Sequence, residues 1–272
     1  MRLFPALLSA LLALPLTALA QPLPLPLIGA AHSHNDYRQV QPLDLALEGQ
    51  FASVEVDLWL RDGALMVAHT APEITPGRTL QSLYLDPLRD RVAANGGWVY
   101  AGQDRPLILL IDLKSEGPAT YAALSRVLAE YQDMMIWWQE GVAQPGAILP
   151  VITGNEPQAL IAAEAPRRAA IDTAVALPEG LSPTLAPMAS EKWRNHFRWD
   201  GDGPMPEAEL AQLRALIAAA HAQGRVLRFY ATPDLRGPAR DRLWTRLLDE
   251  GVDLINTDDP RGLARFLAAR GE

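Results

Sequence analysis

The chain has 272 residues, a formal net charge of −8 and no cysteine. The acidic balance argues against nucleic acid as a partner, because the phosphate backbone attracts basic proteins. The absence of cysteine excludes disulfides, thiolate nucleophiles and cysteine-ligated metals. A chain of this length can bury a large core as one domain without covalent cross-links.

The amino terminus has the pattern of a secretory signal peptide. Met1 and Arg2 are followed by an apolar run over residues 3–16 and by a small-residue cleavage pattern, Ala-Leu-Ala, at residues 18–20. No lipid-anchor cysteine follows. We therefore expect residues 1–20 to be removed, and residues 21–272 to form a periplasmic or secreted domain without a stable membrane anchor.

Apolar strand patterns alternate with helical patterns along the rest of the chain. Strands are predicted at residues 27–31, 51–60, 64–69, 106–114, 147–153, 225–232 and 252–257, with shorter candidates at 135–138 and 169–177. Helices are predicted at residues 43–48, 79–94, 121–132, 156–165, 207–223, 238–250 and 260–270. Pro87 should break or kink the second helix. Residues 178–205, rich in Pro, Trp and Gly, are predicted to be irregular.

This alternation predicts a single-domain α/β fold of the TIM type, a (β/α)8 barrel. The length of the mature chain is typical of that barrel, and the polar residues fall at the carboxyl ends of strands, where such barrels place their chemistry. A doubly wound open sheet is the alternative. It should have a glycine-rich phosphate loop after the first strand, whereas residues 32–36 read HSHND.

Two carboxylates lie on one face of the second strand. In the alternating pattern of residues 53–58, Glu55 and Asp57 point one way and the apolar residues point the other. Adjacent carboxylates repel, so this arrangement indicates a bound cation or a shared proton. With His32, His34 and His69 at neighbouring strand ends, the pattern is typical of a metal-assisted hydrolytic site that uses oxygen ligands.

Asp112 and Lys114 stand two residues apart at the end of the strand predicted over residues 106–114. They form either a structural ion pair or part of the site, and the other carboxylates favour Asp112 as a third metal ligand. The remaining histidines, His196 and His221, are expected to be structural or exposed, because one lies in the irregular segment and the other on a helix.

The combination of His32, Glu55-x-Asp57, Asp62-Gly63 and His69 resembles the glycerophosphodiester phosphodiesterase pattern. The run from Ile111 to Lys114 resembles the acidic ligand and lysine of the same family. Further motifs resemble one branch of the phosphatidylinositol-phospholipase-C-like phosphodiesterase superfamily, which includes the altered-inheritance-of-mitochondria phosphodiesterase-like proteins. These motifs are HSHNDY at 32–37, TL at 79–80, LYLxPL at 83–88, RFYATPD at 228–234 and GVDLINTDD at 251–259.

The resemblance implies a phosphodiesterase with one divalent cation, Mg²⁺ or Ca²⁺, held by Glu55, Asp57 and Asp112. Lys114 would join the cation in binding the non-bridging oxygens of a phosphodiester. The substrate would be a glycerophosphodiester or a (lyso)phospholipid-type molecule, and we expect the protein to act as a monomer.

The resemblance also implies roles for the polar residues around the cation. His32 and His69 would act as general acid and general base, in an order that the sequence leaves open. His34 and Asn35 would contact the substrate or orient its surroundings. Attack by a substrate hydroxyl, giving a cyclic phosphate, and attack by water are both compatible with these residues.

Two other functions are compatible with the sequence. A His-x-His pair after the first strand also resembles metal-dependent amidohydrolases and phosphoesterases, which need further histidines on later strands. A catalytically inert binding barrel is the second. The aromatic segment over residues 193–199 either lines a lipid-accepting rim or packs over the barrel mouth.

Overall fold

The computed structural model describes residues 27, 29–176 and 181–271. The expected signal peptide, residues 1–20, lies outside these residues. The strands are β1 Ala31–Ser33, β2 Ser53–Arg61, β3 Ala64–Val67, β4 Leu107–Leu113, β5 Trp137–Gln139, β6 Val142–Gln144, β7 Ile148–Gly154, β8 Ala170–Thr173, β9 Met188–Lys192, β10 Val226–Tyr230 and β11 Leu254–Thr257.

The helices lie between the strands and after the last of them. They are α1 Asp44–Glu48, α2 Asp86–Ala94, α3 Gly117–Glu130, α4 Gln158–Ala163, α5 Trp193–His196, α6 Glu207–Ala222, α7 Pro238–Glu250 and α8 Pro260–Arg270. Within the described part of the chain, no helix combines the length and the apolar character needed to cross a bilayer.

Eight parallel strands close into a barrel. The sheet runs β1-β11-β10-β9-β8-β7-β4-β2, and β1 also pairs with β2, so the first strand seals the circle between β2 and β11. The ninth strand of this sheet, β3, pairs antiparallel with β2 outside the circle. Strands β5 and β6 form a separate two-stranded sheet. The predicted (β/α)8 barrel is confirmed, and the open-sheet alternative is wrong because no barrel strand lacks a neighbour among those described.

Alternate residues of each barrel strand face the interior, because side chains in a strand repeat with period two. At the amino ends these positions are apolar and pack into one buried cluster that includes Ile108, Leu149, Met188, Val226 and Leu254. At the carboxyl ends the same positions become polar. The barrel interior is therefore packed with apolar side chains at the amino ends of the strands and forms a polar mouth at their carboxyl ends.

The outward positions of the strands bury against the helices. On β2 these are Val54, Val56 and Leu58, which are fully buried in the larger apolar cluster. The face of β2 that carries Glu55 and Asp57 is thus the interior one, as the alternation predicted.

Strand β3 forms an antiparallel hairpin with β2. Asp62 and Gly63, with φ of 50° and 80°, form the turn that the Asp-Gly pair predicted. The register pairs Leu58 with Val67, which brings the residues after β3 back beside Asp57. The hairpin therefore delivers His69 to the carboxylates of the same segment.

Two predictions about elements need correction. The segment predicted to be irregular contains β9, a barrel strand, and the short helix α5. The helix predicted over residues 79–94 is a π-helical turn, Gln81–Leu85, followed by α2, with Pro87 in the first turn of α2 because a proline is tolerated there. Of the two alternatives for the aromatic segment at residues 193–199, packing is the one observed, since Trp193 and Phe197 are buried and contact Phe229 edge to face.

Candidate active site

The polar mouth of the barrel holds a cavity of about 540 Å³. Most of its wall comes from residues at the carboxyl ends of the barrel strands. The lining residues are His34, Asn35, Glu55, His69, Asp112, Lys114, Thr153, Gly154, Glu156, Gln158, Asp172, Thr173, Ala174, Ser190, Arg228 and Tyr230. Of the eight site residues predicted from the sequence, six appear in this wall, while Asp57 and His32 are buried behind it.

Glu55, Asp57 and Asp112 converge at the mouth. One carboxylate oxygen from each lies within 4.8 Å of the others. The register pairs Asp57 of β2 directly with Asp112 of β4, so the barrel itself sets their spacing. Burial raises the pKa of Asp57, and the charges of Glu55 and Asp112 add to the effect against that of Lys114.

One oxygen of this cluster is unsatisfied. Oδ1 of Asp57 is buried and has no hydrogen-bond partner, whereas its Oδ2 contacts Tyr37, His69 and Lys114. A buried polar atom without a partner is costly unless something absent from the protein itself satisfies it. Three carboxylates with a free buried oxygen are suitable ligands for a hard divalent cation, so the residues fit the predicted metal.

Lys114 bridges two of the three acids. Its Nζ lies 2.6 Å from Oδ2 of Asp112 and 3.2 Å from Oδ2 of Asp57. Burial alone would lower the pKa of Lys114, but the hydrogen bond and charge of Asp112 together with Asp57 raise it. Lys114 therefore stays protonated and presents a fixed positive charge to the cavity.

Arg228 was not among the predicted site residues, yet it lies at the centre of the mouth. The buried guanidinium donates from Nη1 to Oε2 of Glu55 at 2.7 Å and from Nε to Ser190 at 3.1 Å. Burial would raise the pKa of Glu55, but the positive charge of Arg228 holds it below its usual range. The sequence feature that could have identified Arg228 is that it is the one charged residue of the otherwise apolar strand β10, at a position that faces the barrel interior.

His32 lies beneath the cavity and not in its wall. Its side chain is fully buried, with Nδ1 2.8 Å from Oγ of Ser53 and Nε2 2.7 Å from Nη1 of Arg228. An arginine only donates, so Nε2 accepts and the ring is neutral. Burial and the charge of Arg228 lower the pKa of His32 to about 4. Both ring nitrogens are engaged within the protein, which suits a residue that orients Arg228 and Glu55.

His34 lines the cavity instead. Its Nδ1 lies 2.8 Å from Oδ1 of Asp258 and 2.8 Å from the amide Nδ2 of Asn35, so these two side chains fix the orientation of the ring. The Nε2 atom faces Glu55 at 3.7 Å. Asn35, with φ of 47°, donates to the same oxygen of Asp258. This left-handed residue lets the chain turn sharply after β1, so that His34 and Asp258 meet.

His69 has the same arrangement on another side of the cavity. Its Nδ1 donates to Oδ2 of Asp57 at 2.9 Å, and the hydroxyl of Tyr37 donates to that oxygen at 2.8 Å. The side chain is 45% exposed. His34 and His69 therefore each have Nδ1 fixed by a carboxylate and Nε2 available at the cavity, an orientation suited to proton transfer.

The other wall of the cavity was also missed by sequence reasoning. Asp172 is buried at the end of β8, and its Oδ2 lies 4.0 Å from Nη2 of Arg228. Glu156, Ser190 and Tyr230 also line the cavity. Each of the residues 172, 190 and 230 occupies an inward position of its strand, which only the closed barrel identifies.

The two other histidines do not reach the cavity. His196 pairs with Glu191 at 2.8 Å. His221, on helix α6, pairs with Asp253 at 2.9 Å. Neither belongs to the cavity wall. The additional histidine ligands that an amidohydrolase-like site requires are therefore missing from this mouth, since all five histidines are among the described residues.

The closed parallel barrel with an acidic, lysine-containing mouth is consistent with the phosphodiesterase barrels that the sequence motifs resemble. The family model for the AIM6-like phosphodiesterase domain matches residues 25–172, more than half of the chain, and the chain belongs to this family. The matched segment includes all eight predicted site residues but neither Arg228 nor Asp258.

Individual proteins that are similar to the chain support this family assignment. The altered inheritance of mitochondria protein 6 homolog of Arthroderma benhamiae is 28% identical over 84% of this chain and 80% of its own length. Altered inheritance of mitochondria protein 6 of Eremothecium gossypii is 28% identical over 89% and 70% of the two chains. A crystal structure of a glycerophosphoryl diester phosphodiesterase from Parabacteroides distasonis shares the fold, with a TM-score of 0.54, 14% identity and coverage of 89% and 87%.

Proposed function

We propose that the protein is an exported, monomeric, divalent-cation-dependent phosphodiesterase that cleaves a glycerophosphodiester or a (lyso)phospholipid-type substrate. The observation that carries the proposal is the convergence of three carboxylates, one lysine and two carboxylate-oriented histidines on one cavity. Membership of a phosphodiesterase family supports the reaction type. The unpaired buried oxygen of Asp57 supports the cation.

Glu55, Asp57 and Asp112 would hold Mg²⁺ or Ca²⁺, which would neutralise negative charge on the phosphoryl oxygens and so favour nucleophilic attack on phosphorus. Lys114 adds a fixed positive charge beside them and binds a non-bridging oxygen of the substrate. Arg228 keeps Glu55 ionised. The cation and Lys114 would together offset the negative charge of the acidic mouth and of a bound phosphodiester.

His69 and His34 are suited to move the protons. Asp57 and Asp258 fix their Nδ1 atoms and leave both Nε2 atoms to the cavity. The sequence assigned proton transfer to His32 and His69. The burial of His32 and its two engaged nitrogens favour His34 in that role, with His32 as the residue that positions Arg228 and Glu55.

The test joins metal analysis of the purified protein to hydrolysis of glycerophosphocholine, lysophosphatidylcholine, sphingomyelin and bis(p-nitrophenyl) phosphate. We expect turnover that requires Mg²⁺ or Ca²⁺ and that a chelator abolishes. His34→Asn and His69→Asn should each lower the rate by a factor of about 100 or more, a typical effect of losing a general acid or base.

His221→Asn is the matched control, because His221 also pairs with an aspartate but lies outside the cavity. It should keep the wild-type rate. Zinc-dependent amidase activity would contradict the proposal and indicate the amidohydrolase alternative. A wild-type protein that binds a cation but turns over no phosphodiester would indicate the inert binding barrel.

A further inference from the structure

In each of the three predicted metal ligands, one carboxylate oxygen already contacts a cationic side chain. Oε2 of Glu55 accepts from Nη1 of Arg228 at 2.7 Å. Oδ2 of Asp112 accepts from Nζ of Lys114 at 2.6 Å, and Oδ2 of Asp57 lies 3.2 Å from the same Nζ. These three atoms, the committed oxygens, are therefore engaged by positive charges of the protein itself.

The second oxygen of each carboxylate has no such contact. Oδ1 of Asp57 is buried and has no hydrogen-bond partner among the described residues. Oε1 of Glu55 faces Nε2 of His34 at 3.7 Å, which is too long for a hydrogen bond. Oδ1 of Asp112 lies so close to the backbone of Gly154 that a Cβ there would collide with it. Each carboxylate thus has one oxygen left for a cation.

The committed oxygens are held where they are by buried ion pairs and by the barrel. The side chains of Glu55 and Arg228 are only 6% and 5% exposed, so breaking this pair would leave buried charges without partners, at a large cost in free energy. The register of β2 and β4 places Asp57 directly beside Asp112, and Lys114 bridges the two. The barrel therefore presents three single oxygens on a rigid frame.

We propose that this arrangement makes the site selective for Mg²⁺ over Ca²⁺, with Lys114 and Arg228 as the residues that determine the choice of ion. The inference rests on the proposed cation-dependent function and goes beyond it. Ca²⁺ usually takes about six to eight oxygens in a flexible geometry, often through both oxygens of a carboxylate. Mg²⁺ takes about six in a strict octahedron, with few carboxylates and with water or substrate phosphate in the remaining positions. Three rigid single oxygens match the requirements of Mg²⁺.

The first test is isothermal titration of the metal-free wild-type protein with MgCl₂ and with CaCl₂, in the absence of substrate. We expect Mg²⁺ to bind more tightly than Ca²⁺ by a factor of about ten or more. Equal or tighter binding of Ca²⁺ overturns the inference, even where either ion supports turnover. A wild type that binds neither ion refutes the cation dependence itself, and the inference with it.

Lys114→Met tests the cause of the selectivity. This substitution keeps a long side chain but releases Oδ2 of Asp112, so that the carboxylate can bind Ca²⁺ through both of its oxygens. Loss of the positive charge affects both ions alike, so the ratio of the two affinities isolates the effect of the released oxygen. We expect the preference for Mg²⁺ to fall by a factor of about ten or more.

Lys192→Met is the matched control. Lys192 is the only other lysine of the full chain, and it is exposed at the end of β9, outside the cavity wall. The control removes the same charge and should keep the wild-type ratio of affinities. An unchanged ratio in Lys114→Met, or an equal change in Lys192→Met, would show that the committed oxygens do not set the choice of ion. The wild-type titration decides the selectivity even where Lys114→Met is too unstable to measure.

Discussion

Asp57 is the residue whose surroundings most directly indicate a cation, because its buried Oδ1 has no partner while its Oδ2 has three. Asp57→Asn keeps an acceptor for those three donors but removes the charge. Saturating Mg²⁺ or Ca²⁺ should stabilise the wild type by about 2.7 kcal/mol at 100 times Kd, and should not stabilise the variant. Thermal unfolding with and without the cation measures the difference.

Asp133→Asn is the control for this prediction, since Asp133 is exposed and lies outside the cavity. It should respond to the cation as the wild type does. Equal stabilisation of Asp57→Asn and the wild type would show that the cation binds elsewhere.

His32 should contribute to stability more than a surface histidine does. His32→Ala removes a fully buried ring and takes a partner from both Ser53 and Arg228. We expect a loss of about 2–4 kcal/mol in the free energy of unfolding. His221→Ala, on the exposed face of α6, should change it by less than about 0.5 kcal/mol. Urea denaturation compares them, and a small loss for His32→Ala would mean that its buried contacts are weak.

At the scale of the element, β7 makes room for the acidic cluster by ending in a glycine. Gly154 has φ of 78°, and a Cβ there would collide with Oδ1 of Asp112. Gly154→Ala should therefore displace Asp112 and weaken cation binding by a factor of about ten or more, besides the cost of the left-handed backbone of about 1 kcal/mol. Isothermal titration with Mg²⁺ or Ca²⁺ measures the affinity.

Gly141→Ala separates the two effects. Gly141 has φ of 80°, nearly the same backbone strain, but nothing lies within 4 Å of the position of its Cβ. This variant should lose similar stability and keep the wild-type affinity for the cation. If both variants lose affinity equally, the contact with Asp112 is not the cause.

The elements differ in how far the sequence could predict them. β2 and β4 were predictable because their apolar residues are numerous and alternate or run on without interruption, as buried strands require. β9, with the sequence MASEK, has only Met188 and Ala189 as apolar residues and follows a Pro-rich segment. β9 is a strand because it pairs with β8 and β10, and these pairings cannot be predicted from its own short sequence.

The same limit applies to the site. Glu55 and Asp57 share a face within one strand, so local period-two geometry was enough to place them together. Arg228 contacts Glu55 across the barrel although the two residues are 173 positions apart in the chain, so this contact depends on closure of the sheet. The burial of His32 depends on the same closure, which explains why the sequence could not separate its role from that of His34.

For the whole molecule, closure depends on the last strand. β11 pairs with both β1 and β10, and the register sets Ala31 opposite Ile255. A chain ending at Gly251 lacks β11 and α8, and leaves β1 and β10 as exposed edges, which favours aggregation. We expect this chain to lose cooperative unfolding in urea. A chain ending at Arg270 should unfold like the wild type, and cooperative unfolding of the shorter chain would show that the barrel tolerates an open seam.

The contact between His34 and Asp258 joins residues that are 224 positions apart. A ribosome makes the first of them early and the second almost last, so this pair cannot form during most of the synthesis. Most of the barrel strands are synthesised before Asp258, but the contact between His34 and Asp258 at the mouth can form only near the end of synthesis. The contact between β1 and the segment after β11 is therefore among the last parts of the candidate site to be completed as the chain is made.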